Sequence, residues 1–84
     1  MLGGVDLVID YEAAESPSRQ IAAWIRQRIR AGDLRPGQRL PTEKAMQQEY
    51  GVAATTTRRA YRLLAEEGLV VTTGGRGTHV KAQR

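Results

Sequence analysis

Glycine and proline residues divide this 84-residue chain into short segments, and the segment from Thr42 to Gly68 constrains the fold most. Thr42 suits the N-cap position of a helix, and Gly51 can adopt the left-handed conformation that ends one. A second helical pattern runs from about Ala54 to Glu67 and ends at Gly68. Two short helices joined by a tight glycine turn are the arrangement of a helix-turn-helix.

A further helix is predicted upstream of this pair. Ser16 suits the N-cap, and Pro17 suits the first helical position, where its missing N–H costs nothing. The pattern continues to about Ala31 and ends at Gly32. At about 100° per residue, its apolar stripe consists of Ile21, Ile25 and Ile29, with Ala22 and Trp24 at the margins. Trp24 is expected either at the edge of the core or in a subunit contact.

The other side of this first helix is basic. Arg19, Arg26 and Arg30 fall on the face opposite the apolar stripe. Arg28 lies closer to the stripe, so its aliphatic stem is expected to cover the core while its head reaches water. One face is therefore predicted to be buried and the other solvated.

A β-hairpin is predicted at the end of the chain. Residues 69–73 are rich in β-branched side chains, residues 78–80 form the return strand, and the glycine-rich residues 74–77 join them. Upstream, Leu40 precedes a proline and is expected to be extended and to enter the core. The predicted fold is α+β, a winged helix-turn-helix of three helices plus a C-terminal β-hairpin wing.

The first 15 residues form a separate segment. Val5, Leu7 and Ile9 alternate with acidic residues, which fits a short strand or an extended arm. We therefore divide the chain into an N-terminal arm or short strand at residues 1–15 and a winged helix-turn-helix domain at residues 16–84.

Composition excludes several classes of protein. The chain has no cysteine and a single histidine, His79, which is expected to be a surface strand residue, so a disulfide scaffold and a clustered His or Cys metal site are excluded. It shows no paired acid and base beside a nucleophile and no phosphate-binding strand-loop-helix, so we expect no catalytic residues, no cofactor and no metal. No apolar run approaches the roughly 20 residues of a membrane helix, and no signal peptide is evident, so a cytoplasmic location at the nucleoid is expected.

Charge is distributed unevenly along the chain. The formal net charge is +4, with 13 Lys and Arg against nine Asp and Glu. Four of the acidic residues and none of the basic ones lie in residues 1–18. The helical and hairpin body is therefore strongly basic, which favours a polyanionic partner such as nucleic acid.

The second helix of the helix-turn-helix pair has two distinct faces. The predicted inner face consists of Thr57, Ala60, Tyr61 and Leu64. The outer face carries Thr55, Arg58, Arg59 and Arg62. Like charges one turn apart repel each other, and only Glu66 is available on that face to neutralise them. Guanidinium groups pair bidentately with phosphate or guanine, so the outer face is predicted to bind an anionic ligand.

Two further basic residues lie at predicted element ends. Lys44 is in the first turn of its helix, where a cation is unfavourable, so it is either solvated or contacts an anion such as a phosphate. Arg76 lies at the tip of the hairpin among Gly74, Gly75 and Gly77, and an arginine in that position suits a narrow minor groove. Glycine-rich tips also form ordinary hairpin turns.

From Ser16 to Val80 the sequence resembles the N-terminal winged helix-turn-helix domain of the GntR family of bacterial transcription regulators. The resemblance rests on residues 32–44, the turn at Gly51, the segments 55–60 and 67–68, and the hairpin 75–78. It implies that Lys44 contacts DNA from the preceding helix. It implies recognition-helix contacts by Thr55, Thr56 and Arg58, and wing contacts by Gly75 and Arg76.

The sequence departs from the family pattern in three respects. Ala53 and Ala54 replace the usual Ser-Arg, so the recognition helix lacks a side-chain N-cap worth about 1 kcal/mol and a frequent base-reading arginine. Thr57 replaces the usual valine and brings a hydroxyl that needs a partner. The C-terminal effector-binding and dimerisation domain of the family is not within these 84 residues, so a small-molecule effector is expected only if such a domain follows.

The predicted function is sequence-specific binding of double-stranded DNA by a bacterial transcription repressor. The recognition helix, about residues 54–67, would lie in the major groove and the wing, residues 74–77, in the minor groove. The expected target is an inverted repeat bound by a homodimer, because one module of this size makes too few base contacts to be specific. The expected DNA-binding residues are Lys44, Thr55, Thr56, Arg58, Arg59, Arg62, Gly75, Arg76 and Gly77. Two alternatives are a protein-interaction module and an RNA-binding domain, although the four aromatic residues offer few stacking partners for RNA.

Overall fold

The computed structural model describes residues 7–82, which form three helices followed by a two-stranded hairpin. The helices are α1 at Pro17–Arg30, α2 at Glu43–Tyr50 and α3 at Ala54–Glu66. The strands are β1 at Val70–Thr73 and β2 at Gly77–Val80, paired antiparallel with Val70 opposite Val80 and Thr73 opposite Gly77. The predicted order of elements and the winged helix-turn-helix architecture are confirmed.

Side-chain caps and left-handed glycines set the helix boundaries, as the sequence predicted. The Ser16 hydroxyl accepts a hydrogen bond from the Arg19 N–H at 3.3 Å, and the Thr42 hydroxyl accepts one from the Ala45 N–H at 3.0 Å. Gly51 ends α2 at φ 68°. At the start of α3, Ala53 provides no side-chain hydrogen bond, which confirms that this helix lacks the usual cap.

The core forms where α3 packs against α1 and α2. All four residues of the predicted inner face of α3 are buried, and Ala60 and Leu64 are inaccessible to solvent. Leu40 is 2% exposed, which confirms its predicted position in the core. The remaining buried hydrophobic residues are Ile21, Ala22, Ile25, Leu34, Met46, Val52, Val70 and Val80. Because the inner face of α3 is packed against α1 and α2, the opposite face of this helix must point to solvent.

Residues 37–40 pair with β2 and fasten the hairpin to the helices. The Leu40 N–H donates to the Thr78 carbonyl at 2.8 Å, and the Val80 N–H donates to the Gln38 carbonyl at 2.8 Å. Arg39 and His79 form an antiparallel bridge between these bonds. The sequence predicted an extended conformation at Leu40 but not this pairing, which ties the wing to the segment that precedes α2.

Residues 7–10 form an arm without regular secondary structure rather than a strand. Leu7 and Ile9 are half-buried against the core, whereas Val5 of the predicted alternation lies outside the described residues. The Gln20 side chain holds the arm, because its amide donates to the Asp10 carbonyl at 2.8 Å and its oxygen accepts from the Asp10 N–H at 2.9 Å. The arm is thereby fixed to the first turns of α1.

Two arginines of α1 are less solvated than predicted. Arg26 forms a bidentate ion pair with Glu67, which links α1 to the end of α3 and raises the pKa of Arg26 while lowering that of the carboxyl group. The Arg28 side chain is only 12% exposed and pairs with Asp33 at 3.0 Å, so its head does not extend into water as expected.

Trp24 is half-buried and packs edge-on against Tyr50, with ring centroids 5.6 Å apart. This contact supports its placement at the edge of the core.

Within residues 7–82, none of the helices has the length and apolar character that crossing a membrane would require.

We predict that Thr57→Val raises the stability of the domain. Thr57 is fully buried, and its hydroxyl has no hydrogen-bond partner among the described residues. A desolvated and unsatisfied hydroxyl costs about 1 kcal/mol or more, whereas valine keeps the shape without the polar atom. Thermal unfolding followed by circular dichroism should show a melting temperature higher by about 4–8 °C. Thr56→Val, at a half-buried site, is the control, and a lower melting temperature for Thr57→Val would contradict the prediction.

Candidate nucleic-acid interface

The outer face of α3 presents a row of basic and hydroxyl side chains to solvent. Thr55, Arg58, Arg59 and Arg62 are exposed, as the helical geometry predicted, and Thr56 is half-buried. The row lies opposite the buried stripe, so the core packing determines its orientation. A helix with its side chains is about 10–12 Å across, which matches the roughly 12 Å width of a B-DNA major groove.

Arg58 is held in place by a carboxylate from the neighbouring helix. Its Nε and Nη2 atoms donate to the two oxygens of Glu43, each at 3.0 Å, while 56% of the arginine side chain remains exposed. This bond raises the pKa of Arg58 above its ordinary value, so the group stays charged. The ion pair occupies one edge of the guanidinium and leaves the other edge free to donate to a second acceptor.

The pairing adds a contact that the sequence did not predict. Glu66 is the only carboxylate that the sequence offers on the outer face of α3 itself, and Glu43 of α2 supplies a second one by pairing with Arg58. The two residues are 15 positions apart, and only the angle between the two helices brings them together. Their shared position in a helix-turn-helix is the only signal in the sequence that points to the contact.

A shallow groove of about 260 Å³ separates α3 from the wing. It is lined by Glu43, Arg58, Tyr61, Arg62, Ala65, Thr72 and Thr78. Its floor is rigid: the Tyr61 hydroxyl donates to the Pro41 carbonyl at 2.7 Å, and the hydroxyls of Thr72 and Thr78 lie 3.0 Å apart. Burial raises the pKa of Tyr61, so this hydroxyl remains a neutral donor.

Lys44 lies in the first turn of α2, next in sequence to Glu43, which lines this groove. It is exposed and forms no ion pair within residues 7–82, and the carboxylate of Glu43 is bound by Arg58. A cation at a helix N-terminus gains nothing from the helix dipole. Its position therefore suits contact with an external anion that the helix terminus also attracts.

The wing tip is a tight turn whose exposed side chain is Arg76. The Arg76 N–H donates to the Thr73 carbonyl at 3.0 Å, and Gly75 has φ 79°. Gly77 has a structural role that the sequence did not indicate. A Cβ added there would lie 2.9 Å from Nε of Arg39, so the Arg39 side chain packs directly on the glycine backbone at the base of the wing.

Of the predicted residues, the structure brings Arg58 and Arg62 together in the groove between α3 and the wing. Arg59 lies on the α1 side of α3, in a cleft that Arg62 also lines. The roles of the predicted residues in binding remain predictions. Within the described part of the chain, no group of His, Asp and Glu is arranged to hold a metal ion. The arrangement can bind a polyanion through the oriented guanidinium of Arg58 and the exposed cationic groups of Arg59, Arg62 and Lys44.

Comparisons with known proteins agree with this geometry. Residues 17–80 match the family model described as bacterial regulatory proteins, gntR family. The chain is 48% identical over 66 residues to the mannosyl-D-glycerate transport/metabolism system repressor MngR of Escherichia coli (strain K12), a match that covers 79% of this chain and 28% of MngR. The chain therefore spans less than a third of that relative's length.

Solved structures with the same fold include a transcription factor and an operator-bound domain. YtrA from Sulfolobus acidocaldarius, a GntR-family transcription factor, superimposes with a TM-score of 0.84 at 33% identity, covering 93% of this chain and 82% of that one. The DNA-binding domain of AraR, solved in complex with the operator ORX1, has a TM-score of 0.80 at 27% identity and covers 93% and 98% of the two chains. From the matched family model and these likenesses, we conclude that the chain belongs to the gntR family of bacterial regulatory proteins.

Proposed function

We propose that this chain is the sequence-specific DNA-binding domain of a bacterial transcription repressor. In this proposal, α3 enters the major groove and the wing tip at residues 74–77 contacts the minor groove. The name of MngR as a repressor and the operator-bound AraR domain support this function. The proposal places the protein at the nucleoid in the cytoplasm.

The observation that carries the proposal is the orientation of Arg58. Glu43 binds its Nε and Nη2 atoms, and the guanidinium remains more than half exposed on the outer face of α3. A planar guanidinium fixed at one edge presents its remaining N–H groups in a defined direction. This is the geometry needed for bidentate donation to O6 and N7 of guanine.

The other residues of the surface have complementary roles in the proposal. Thr55 and Thr56 donate to phosphates or contact thymine methyl groups. Lys44 binds a phosphate at the α2 N-terminus, and Arg76 enters the minor groove between Gly75 and Gly77. Arg59 and Arg62 contribute phosphate contacts along α3.

We further propose that two copies bind an inverted repeat. A single module of this size buries too little surface to distinguish one site among many, so dimer binding supplies the missing specificity.

The aromatic residues argue against single-stranded RNA as the ligand. Tyr61 is buried and Trp24 packs on Tyr50, so three of the four are unavailable as a stacking platform. Any small-molecule effector would act through a domain outside these 84 residues.

The test is selection of bound sequences from a randomised duplex library, followed by fluorescence-anisotropy titration at fixed salt. We expect enrichment of a palindromic sequence and binding at least about 10³-fold tighter than to unrelated duplex. Single-stranded RNA of equal length should compete poorly. Failure to enrich any sequence, or equal competition by RNA, would overturn the proposal.

Glu43→Gln should reduce base discrimination while leaving general DNA affinity intact or higher. The amide cannot pair with both nitrogens of Arg58 as a carboxylate does, so the guanidinium loses its fixed orientation. Removing a negative charge near the duplex also weakens repulsion. Titration of the selected duplex and its single-base-pair variants should show discrimination reduced about threefold or more at one position. Glu49→Gln on the same helix is the control, and unchanged discrimination at every position would contradict this role of Glu43.

Lys44→Ala should weaken binding to all duplexes alike. The lysine is proposed to contact a phosphate, which carries no base information, and its loss from a helix N-terminus should not destabilise α2. The slope of log affinity against log salt should become shallower by about one unit. Arg35→Ala, in the exposed turn after α1, provides a control of equal charge change. A loss confined to one base pair of the target would contradict the prediction.

A further inference from the structure

We propose that Arg19, Arg59 and Arg62, together with the N-terminus of α1, form a second phosphate-binding site. This site, which we name the α1 clamp, would hold the DNA backbone on the side of α3 opposite Lys44. The inference rests on the proposed DNA binding and extends it to a part of the molecule outside the helix-turn-helix pair.

The α1 clamp is a cleft of about 330 Å³ between α1 and α3. Its walls are formed by Ser16, Ser18, Arg19, Arg59, Arg62 and Leu63. Two helices that are distant in sequence thus contribute three guanidiniums to one concave surface. Arg62 also lines the groove on the wing side of α3, so this residue is shared by the cleft and the candidate interface.

The positive charge of the clamp is not neutralised within the chain. None of its three arginines forms an ion pair with any residue in 7–82. Glu15 and Glu67 line an adjoining cavity together with Arg19, and Glu67 is already bound bidentately by Arg26. Glu43, which lines the wing-side groove with Arg62, is already paired with Arg58. A concentration of unpaired guanidiniums with so little compensation favours an external anion.

The start of α1 adds neutral donors to the same cleft. Pro17 has no N–H, the Arg19 N–H donates to the Ser16 hydroxyl, and the Gln20 N–H donates to the Ser16 carbonyl. This leaves the Ser18 N–H without an acceptor among the described residues. Ser18 is nine-tenths buried, and its hydroxyl also forms no hydrogen bond within that part of the chain. Both groups can donate to a phosphate oxygen bound in the cleft.

A helix in the major groove has a sugar-phosphate backbone along each of its two sides. Arg58 lies on the side of α3 that faces α2, where Glu43 and Lys44 are located, whereas Arg59 lies on the side that faces α1. The width of the groove is close to the diameter of the helix, so both sides of α3 must contact a backbone when the helix is inserted. The α1 clamp is the group of residues placed to meet the second backbone.

The first test compares the wild-type chain with Arg19→Gln and Arg19→Lys on the duplex selected from the random library. Arg19 lies outside the recognition helix and has no ion pair in the described chain, so its replacement should leave the melting temperature unchanged. Arg19→Gln should make the salt slope shallower by about one unit without altering base discrimination, and Arg19→Lys should restore the slope. Arg30→Gln, at the far end of the same helix, should behave like wild type.

The second test replaces single phosphates of the duplex with uncharged methylphosphonates. We expect one flanking position at which the replacement weakens wild-type binding but has no effect on Arg19→Gln. If wild type selects a sequence and Arg19→Gln retains the full salt slope, the α1 clamp is wrong while the proposed function stands. If wild type selects no sequence, the proposed function itself fails.

Discussion

The buried stripe of α3 determines the rest of the molecule. Thr57, Ala60, Tyr61 and Leu64 pack against α1 and α2, and burial of these side chains leaves the helix a single orientation. Each apolar side chain removed from water contributes on the order of 1–3 kcal/mol, a large fraction of the stability of a small domain. The outward position of the arginine face is therefore a consequence of the core.

Contacts outside α3 convert this exposed face into a defined surface. Glu43 fixes the guanidinium of Arg58, and the pairing of residues 37–40 with β2 fixes the wing beside it. The Arg39 side chain packs on the backbone of Gly77 at the base of the hairpin and adds a further contact between these two segments. On the opposite side of α3, the start of α1 approaches Arg59 and Arg62. These contacts place charge along both edges of one helix, which suits a ligand with two parallel rows of phosphates.

Local chemistry made the helices predictable from the sequence. Ser16, Thr42 and the glycines at 32, 51 and 68 mark helix ends through caps and left-handed conformations that depend on neighbouring residues alone. The two faces of α3 follow from helical periodicity, and all four predicted inward residues are buried. The extended segment at Leu40 was predicted for the same reason, since the following proline restricts it.

The features that sequence reasoning missed are contacts between distant segments. The Glu43–Arg58 and Arg26–Glu67 pairs join different helices, and their partners are 15 and 41 positions apart. Nothing in residues 37–40 specifies that they add to the edge of β2. The head of Arg28 was expected to reach water beyond an aliphatic stem lying on the core, whereas the turn after α1 brings Asp33 back against it. Such pairings depend on the angles between elements, which periodicity does not encode.

The most direct test of the account is the base discrimination of Arg58→Ala. Wild type and variant would be titrated at one salt concentration with the selected duplex and with every single-base-pair substitution of it. If the outer face of α3 reads base edges, the variant should lose about 10- to 100-fold discrimination at one base pair of each half-site and keep its preferences elsewhere. Undiminished discrimination at every position would show that α3 does not read DNA through this residue.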